Sequence, residues 1–168
     1  MIIWFTGIPC SGKTTIAKAL IEKIGAQHCE LLDGDVLRGS NFAKGVGFDK
    51  ADRNRHLLRV GYMAERLSPY AYVLCSFVSP YEDTRNQLNV DYMIYVECSP
   101  EVCEHRDVKG MWAKAKAGEI SGFTGYDAPY EPPANPDLVL NTTQMSIDQC
   151  VEAVLELIGF NEVGCGCR

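Results

Sequence analysis

The chain has 168 residues, enough for one domain that buries roughly 70% of its unfolded surface. Its 46% hydrophobic and 23% charged residues describe an ordinary globular protein, neither disordered nor fibrous. A net charge of −6 argues against a broad nucleic-acid-binding or anionic-membrane-binding surface, and no apolar run approaches the ~20 residues that span a bilayer.

The opening "MIIWFTG" runs straight into a continuous apolar strand over 2–6, so the sequence reads as lacking a secretory leader. A glycine-rich turn follows, then the helical pattern "TTIAKALIEKI". "CELLD" (29–33) is a second strand. A long amphipathic helix is predicted over about 50–67, with Leu57, Leu58, Met63 and Leu67 near helical spacing. "AYVLCSF" (71–77) and "YMIYVE" (92–97) are apolar on both faces, as buried strands are. "DLVLNT" (137–142) is a fifth strand, and a helix over 146–158 follows, with Ser146 as its N-cap. Five buried strands alternating with helices predict an α/β fold in three layers: a parallel five-stranded sheet covered on both faces.

Residues 115–138, "AKAGEISGFTGYDAPYEPPANPDL", contain four prolines and three glycines and look by composition like a linker. An ordered strand and helix nevertheless follow them. The eight cysteines are read as reduced thiols: Cys75 and Cys98 sit in apolar strand-like runs, where cysteine behaves as a small hydrophobe. Cys165 and Cys167 are read as a frayed, reduced tail.

The chemistry starts at "GIPCSGKT" (7–14), a complete G-x-x-x-x-G-K-[ST] pattern between a strand and a helix. Gly7 and Gly12 let backbone N–H groups turn toward phosphate oxygens, and the helix N-terminus adds a favourable dipole. Lys13 is placed to reach the β- and γ-phosphates, and the Thr14 hydroxyl to ligate Mg²⁺. The motif predicts binding of a nucleoside triphosphate with Mg²⁺ along Gly7, Ile8, Pro9, Cys10, Ser11, Gly12, Lys13, Thr14 and Thr15. No N-K-x-D guanine-reading pattern accompanies it, and a motor ATPase would be larger. The small size and the late polar segment with its basic residues point to a small-molecule kinase whose lid, about residues 106–136, closes over the phosphates.

"LLDGDVLR" (31–38) ends the second strand, so Asp33 and Asp35 face the crevice at the carboxyl ends of the strands. Phosphoryl transfer to an alcohol uses one carboxylate at the acceptor hydroxyl and another on the metal or its water. The same two residues around Gly34 equally suit an Asx turn that caps the next helix. Arg38, Arg53, Arg55 and Arg59 cluster here in an acidic chain, either to bind an anion or as a solvated helix face. "SFVSPYEDTR" (76–85) leaves the third strand at the same edge. Ser79 and Pro80 read as a helix start, and Arg85 as a residue within reach of phosphate.

Taken together, "GIPCSGKTT", "LLDGD", "GFDKADR", "SFVSPY", "VCEHRDVKGMWAKAKAGEISGFTGYDAPYEPP" and "PDLVLNT" resemble the adenylylsulfate kinase (APS kinase) family over nearly the whole chain. The "KAGEI-GFTG-D-PYE-P" stretch is the most specific of these. The resemblance implies the P-loop kinase fold, one kinase domain over 1–168, a cytoplasmic enzyme, and cofactors ATP and Mg²⁺. It implies phosphorylation of the 3′-hydroxyl of adenosine 5′-phosphosulfate to 3′-phosphoadenosine 5′-phosphosulfate. It further implies a homodimer, functional coupling to an ATP sulfurylase, and no nucleic-acid or membrane partner.

By position, Asp35 resembles the carboxylate that meets the 3′-hydroxyl, and Asp33 the partner reaching Mg²⁺ through water. Arg38 and Arg53 resemble acceptor-binding arginines. Phe48 and Phe123 resemble an aromatic pair that sandwiches the acceptor adenine. Val78, Lys109 and Gly122 fall at further acceptor contacts, and Arg106 where related kinases stack an arginine on the ATP adenine. Ser79 occupies a position described as a phosphoserine intermediate, although in-line transfer to a bound hydroxyl needs no covalent step. Lys109, Lys114 and Lys116 are expected near the phosphates.

Departures from the pattern are His56 in place of an asparagine, Val36 in "DGDV", and Glu82 in "SPYE", an acid expected beside a polyanion site. A neutral imidazole can still donate as the amide does. These departures leave open a divergent kinase for another small alcohol or nucleotide, and a non-catalytic nucleotide-binding module.

Overall fold

The computed structural model describes residues 1–160. The chain runs β1 (Ile2–Thr6), α1 (Lys13–Ile24), β2 (Cys29–Asp33), α2 (Gly34–Arg38), α3 (Lys50–Leu67) and β3 (Tyr72–Ser76). It continues through α4 (Glu82–Arg85), β4 (Tyr92–Glu97), α5 (Pro100–His105), α6 (Met111–Lys116), β5 (Leu138–Asn141) and α7 (Ile147–Leu157). The five strands are parallel in the order β2-β3-β1-β4-β5.

The apolar run of β1 is buried at every position because both faces of the central strand are covered. Successive side chains alternate between two cores. Ile3 and Phe5 pack with Ile16 and Leu20 of α1 and with Val151 and Val154 of α7. Ile2 and Trp4 pack on the other side with Leu57, Val60 and Ala64 of α3. Each such fully buried side chain contributes about 1.5–3 kcal/mol. The expected three layers are therefore present.

Local signals agree with the helix ends. Ser146 accepts from the Gln149 amide, and Gln149 returns a bond to the Ser146 amide, completing a capping box. Asp49 caps α3 by accepting from the Asp52 amide. Leu57 is buried, whereas Leu58 is 37% exposed on the outer face of α3. The six described cysteines are free, with Cys75 and Cys98 buried as expected. Cys165 and Cys167 lie outside the described residues.

One helix boundary differs from expectation. α4 starts at Glu82, so Ser79 and Pro80 are not its first turn. Ser79 has a left-handed φ of 44° and is 1% exposed, and its hydroxyl accepts from the Trp4 indole at 2.9 Å. The hydroxyl is taken up by the buried Trp4 indole and does not cap a helix, so the Ser-Pro capping signal is overridden.

The linker-like stretch is held in place. Asp127 accepts from the amides of Gly122 (2.8 Å) and Phe123 (2.6 Å), closing the lid tip on itself. Tyr130 stacks on Tyr95 of β4 with ring centroids 5.9 Å apart. The lid thus belongs to the fold, and among the described residues no helix is long and apolar enough to cross a membrane.

Candidate active site

The turn from β1 into α1 is shaped by close approach. A Cβ on Gly7 would lie 2.4 Å from the Val96 carbonyl oxygen, so glycine is required there. Cys10 (φ 66°) and Gly12 (φ 102°) are left-handed, which turns successive amides toward the mouth of α1. The first turn of α1 contains no acidic side chain, leaving its dipole available to an anion. Lys13 folds back over the loop, donating to the carbonyls of Gly7 (2.9 Å) and Ile8 (2.8 Å). Burial pulls its ammonium down to about 8, only partly offset by surrounding groups including Asp35 and Asp33. A phosphate beside it restores the full charge.

Asp33 caps the next helix, as the Asx-turn reading of "DGD" has it, and also reaches the phosphate loop. Its Oδ1 accepts from the amides of Asp35 (2.9 Å) and Val36 (3.2 Å), capping α2, while Oδ2 accepts from the Thr14 hydroxyl at 2.6 Å. The Ser76 hydroxyl lies 2.9 Å from that of Thr14. Two hydroxyls and a carboxylate form a hard oxygen set that suits Mg²⁺. Among the described residues there is no cluster of three or more His, Cys, Asp or Glu that could hold a metal.

On the far side of the loop, Arg106 donates to the Thr142 carbonyl (2.9 Å) and hydroxyl (3.3 Å). The Thr142 hydroxyl donates to Ser11 O at 2.8 Å, tying the loop to the end of β5. Thr142, Met145, Ile147 and Cys150 line this end of the cleft and are absent from the sequence reading. Their one legible signal is position: they follow β5 at its carboxyl end, beside the loop.

The other end is framed by α2, α3 and the lid. Asp35 is largely exposed, and Lys109 of the lid donates to its carboxylate at 2.5 Å. Arg38 donates to the carbonyls of Val46 (3.3 Å) and Gly47 (2.7 Å) and lies 4.7 Å over the Phe48 ring. Burial and the neighbouring Arg53 charge lower the Arg38 pKa from its ordinary value. Arg53 bridges three segments, donating to Phe48 O (2.6 Å), Gly122 O (2.7 Å) and Thr124 Oγ1 (2.8 Å). Both arginines therefore also order the 45–48 loop, and Arg53 fastens it to the lid. Phe48 is 70% exposed, while Phe123 meets Trp112 edge-on at 5.3 Å.

His56 is 2% exposed between the edges of Phe42 and Phe77, and neither ring nitrogen has a partner. Burial, with Arg38 and Arg59 nearby, pushes its pKa down to about 4, so the imidazole is neutral around pH 7. A buried, unsatisfied polar ring costs stability and lines the cleft.

One cleft of about 1050 Å³ unites the two ends: Pro9, Cys10, Gly12, Lys13, Thr14, Thr15 and Arg106 share it with Asp33, Asp35, Arg38, Phe48 and Arg53. His56, Val78, Ser79, Lys109, Gly122 and Phe123 line it as well. Gly7, Ile8 and Ser11 stay behind the loop surface. Several expectations fail here. Lys116 pairs with Glu104 at 2.6 Å, and neither it nor Lys114 lines the cleft. Arg85 is 3% exposed and directed away, bonded to Ser79 O, Glu82 and Glu131 O. Glu82 turns to that buried cation and not to the polyanion site. Val36 is 69% exposed and does not line the cleft.

A phosphate loop at the switch point of a parallel sheet, with carboxylates and a lid facing it, defines a P-loop phosphotransferase of the small-molecule kinase class. The chain belongs to the adenylylsulphate kinase family, whose sequence pattern matches residues 1–141. It is 41% identical over 161 residues to the adenylyl-sulfate kinase of Picosynechococcus sp. (strain ATCC 27264 / PCC 7002 / PR-6), covering 92% of this chain and 90% of that one. It is also 41% identical over 167 residues to the adenylyl-sulfate kinase of Deinococcus deserti, covering 95% and 92%. Among solved structures it resembles the Mycobacterium tuberculosis APS kinase CysC in complex with AMPPNP and APS. The TM-score is 0.87 at 36% identity, covering 94% of this chain and 96% of that one.

Proposed function

We propose that the protein transfers the γ-phosphoryl group of ATP to the 3′-hydroxyl of adenosine 5′-phosphosulfate, giving ADP and 3′-phosphoadenosine 5′-phosphosulfate. The observation that carries this is the single cleft in which Lys13 and Thr14 face Asp35 across a space lined by Phe48 and Phe123. The family to which the chain belongs supports the choice of acceptor.

The loop amides and Lys13 hold the β- and γ-phosphates, and Arg106 stacks on the ATP adenine. Thr14, with Asp33 through water, would hold Mg²⁺, which would neutralise charge on the phosphate oxygens. Phe48 and Phe123 sandwich the acceptor adenine. Arg38, Arg53, His56, Val78, Lys109 and Gly122 orient the rest of the acceptor, His56 as a neutral donor. Asp35 orients the 3′-hydroxyl and takes its proton as the O–P bond forms. Ser79 takes no covalent part, since its hydroxyl is buried against Trp4. The lid over about 106–136 excludes water, which would otherwise accept the phosphoryl group.

The same reading includes one kinase domain working in the cytoplasm as a homodimer, supplied with adenylyl sulfate by an ATP sulfurylase. Light scattering on the purified chain tests the dimer. The activity is tested by incubating the chain with ATP, Mg²⁺ and adenylyl sulfate and resolving the nucleotides. The 3′-phosphorylated product is expected in step with ADP. Turnover of another alcohol with none of adenylyl sulfate would overturn the assignment.

A further inference from the structure

Arg85 lies outside the cleft, yet it is 3% exposed and fully engaged. Its Nη1 donates to the Ser79 carbonyl at 2.5 Å and its Nη2 to the Glu131 carbonyl at 2.6 Å. The same guanidinium is paired with the Glu82 carboxylate. Glu131 answers from the facing segment: its carboxylate accepts from the Glu82 amide at 2.7 Å, and its amide donates to Pro80 O at 2.9 Å. The Tyr130 ring lies 5.8 Å from the guanidinium, and its hydroxyl is 2.9 Å from that of Thr6.

These contacts join two segments with distinct duties. Residues 78–80 form the acceptor side of the cleft, and 130–134 are the limb by which the lid returns to the sheet. Ser79 holds a left-handed backbone without being glycine, a conformation that persists only where surroundings enforce it. Arg85 grips the carbonyl of that residue. Its rigid fork can reach a carbonyl on each segment and a carboxylate at once, which a lysine ammonium cannot do with the same geometry.

We propose that Arg85, paired with Glu82, is a positioning residue that locks the acceptor loop to the lid's return limb, so that lid placement and acceptor geometry are set together. The inference rests on the adenylyl sulfate reading for the identity of the acceptor, though not for the lock itself.

The test uses the full chain with Arg85→Lys and Glu82→Gln. Rates are measured against varied adenylyl sulfate and varied ATP, alongside melting temperature and amide hydrogen exchange. Arg85→Lys is expected to raise the acceptor KM about tenfold while the ATP KM moves less than about twofold. Glu82→Gln, which keeps its shape and loses only the charge, is expected to raise the acceptor KM about threefold. Exchange at 78–82 and 130–134 is expected to quicken together in Arg85→Lys, even without acceptor. A folded Arg85→Lys with unchanged acceptor KM, or equal losses toward both substrates, overturns the proposal. Exchange that quickens in one segment alone also overturns it. Absence of wild-type turnover overturns the acceptor reading alone, and the exchange measurement still decides the lock.

Discussion

At the donor end of the cleft the backbone itself makes the site, with Gly7 pressed against Val96 O and the loop amides aimed at the mouth of α1. At the acceptor end side chains do that work, with Arg53 joining three segments and Asp127 closing the lid tip. The first construction leaves little freedom and is written in a short contiguous motif. The second depends on contacts between residues about seventy positions apart, Arg53 with Gly122 and Thr124. Substitutions should therefore separate cleanly: donor-end changes reach ATP binding, acceptor-end changes reach the acceptor alone.

The largest expected effect tests the boundary between the two ends. Asp35→Ala should lower kcat about 10²- to 10⁴-fold while ATP binding stays nearly intact. Near-normal kcat removes Asp35 as the base or orienting group. Gly7→Ala should abolish measurable nucleotide binding and lower Tm, because its Cβ would meet a backbone carbonyl at 2.4 Å and not a movable side chain. Normal ATP affinity in a nucleotide titration would break the claim that this end is rigid.

Phe123→Ala comes next, with an acceptor KM rise of about 5- to 150-fold, the equivalent of roughly 1–3 kcal/mol of base stacking. A defect confined to ATP would reverse the assignment of the two ends. His56→Leu should raise the acceptor KM about tenfold yet raise Tm by about 2–4 °C, since an unpaired buried polar ring is removed. Its pH signature has a definite sign. The folded His56 takes up a proton only near pH 4, against 6.5 ordinarily, so the unfolded chain binds it first as pH falls. The wild type should lose stability relative to His56→Leu between about pH 6.5 and 4, with no further difference below. Parallel stability curves across that window would refute the buried neutral imidazole.

The smallest effect is expected at Lys116→Ala. Its pair with Glu104 is roughly half exposed, so Tm and both KM values should barely move, in keeping with about 0–1 kcal/mol for such pairs. A marked rise in the ATP KM would return Lys116 to the phosphate site.

Much of the site is legible in the sequence because its signals are local. The spacing from Gly7 to Thr14 requires only eight residues between a strand and a helix, and β1 and α1 supply both. The capping role of Asp33 was likewise legible: Oδ1 caps α2 while Oδ2 accepts from the Thr14 hydroxyl. Ser79 was misread for the opposite reason. Its capping signal is local, but the Trp4 indole that claims its hydroxyl lies 75 residues away. Arg85 and Glu82 looked like free charges near an anion site, but they pair with each other, and the returning chain at Glu131 buries the arginine and takes up the rest of its fork.

What the sequence determined by itself is the set of strands, the phosphate loop and the family to which the chain belongs. Periodicity and motif spacing act over a few residues, where covalent geometry limits the choices. What the tertiary structure decided is which polar groups are consumed by the fold and which remain for substrate. Arg85, Glu82 and Ser79 spend their hydrogen bonds on neighbours, whereas both nitrogens of His56 are left unpartnered. That division follows from packing: neighbouring and distant segments supply partners to the first three groups, while none reaches the His56 ring, which bears the desolvation cost of an unpaired buried group.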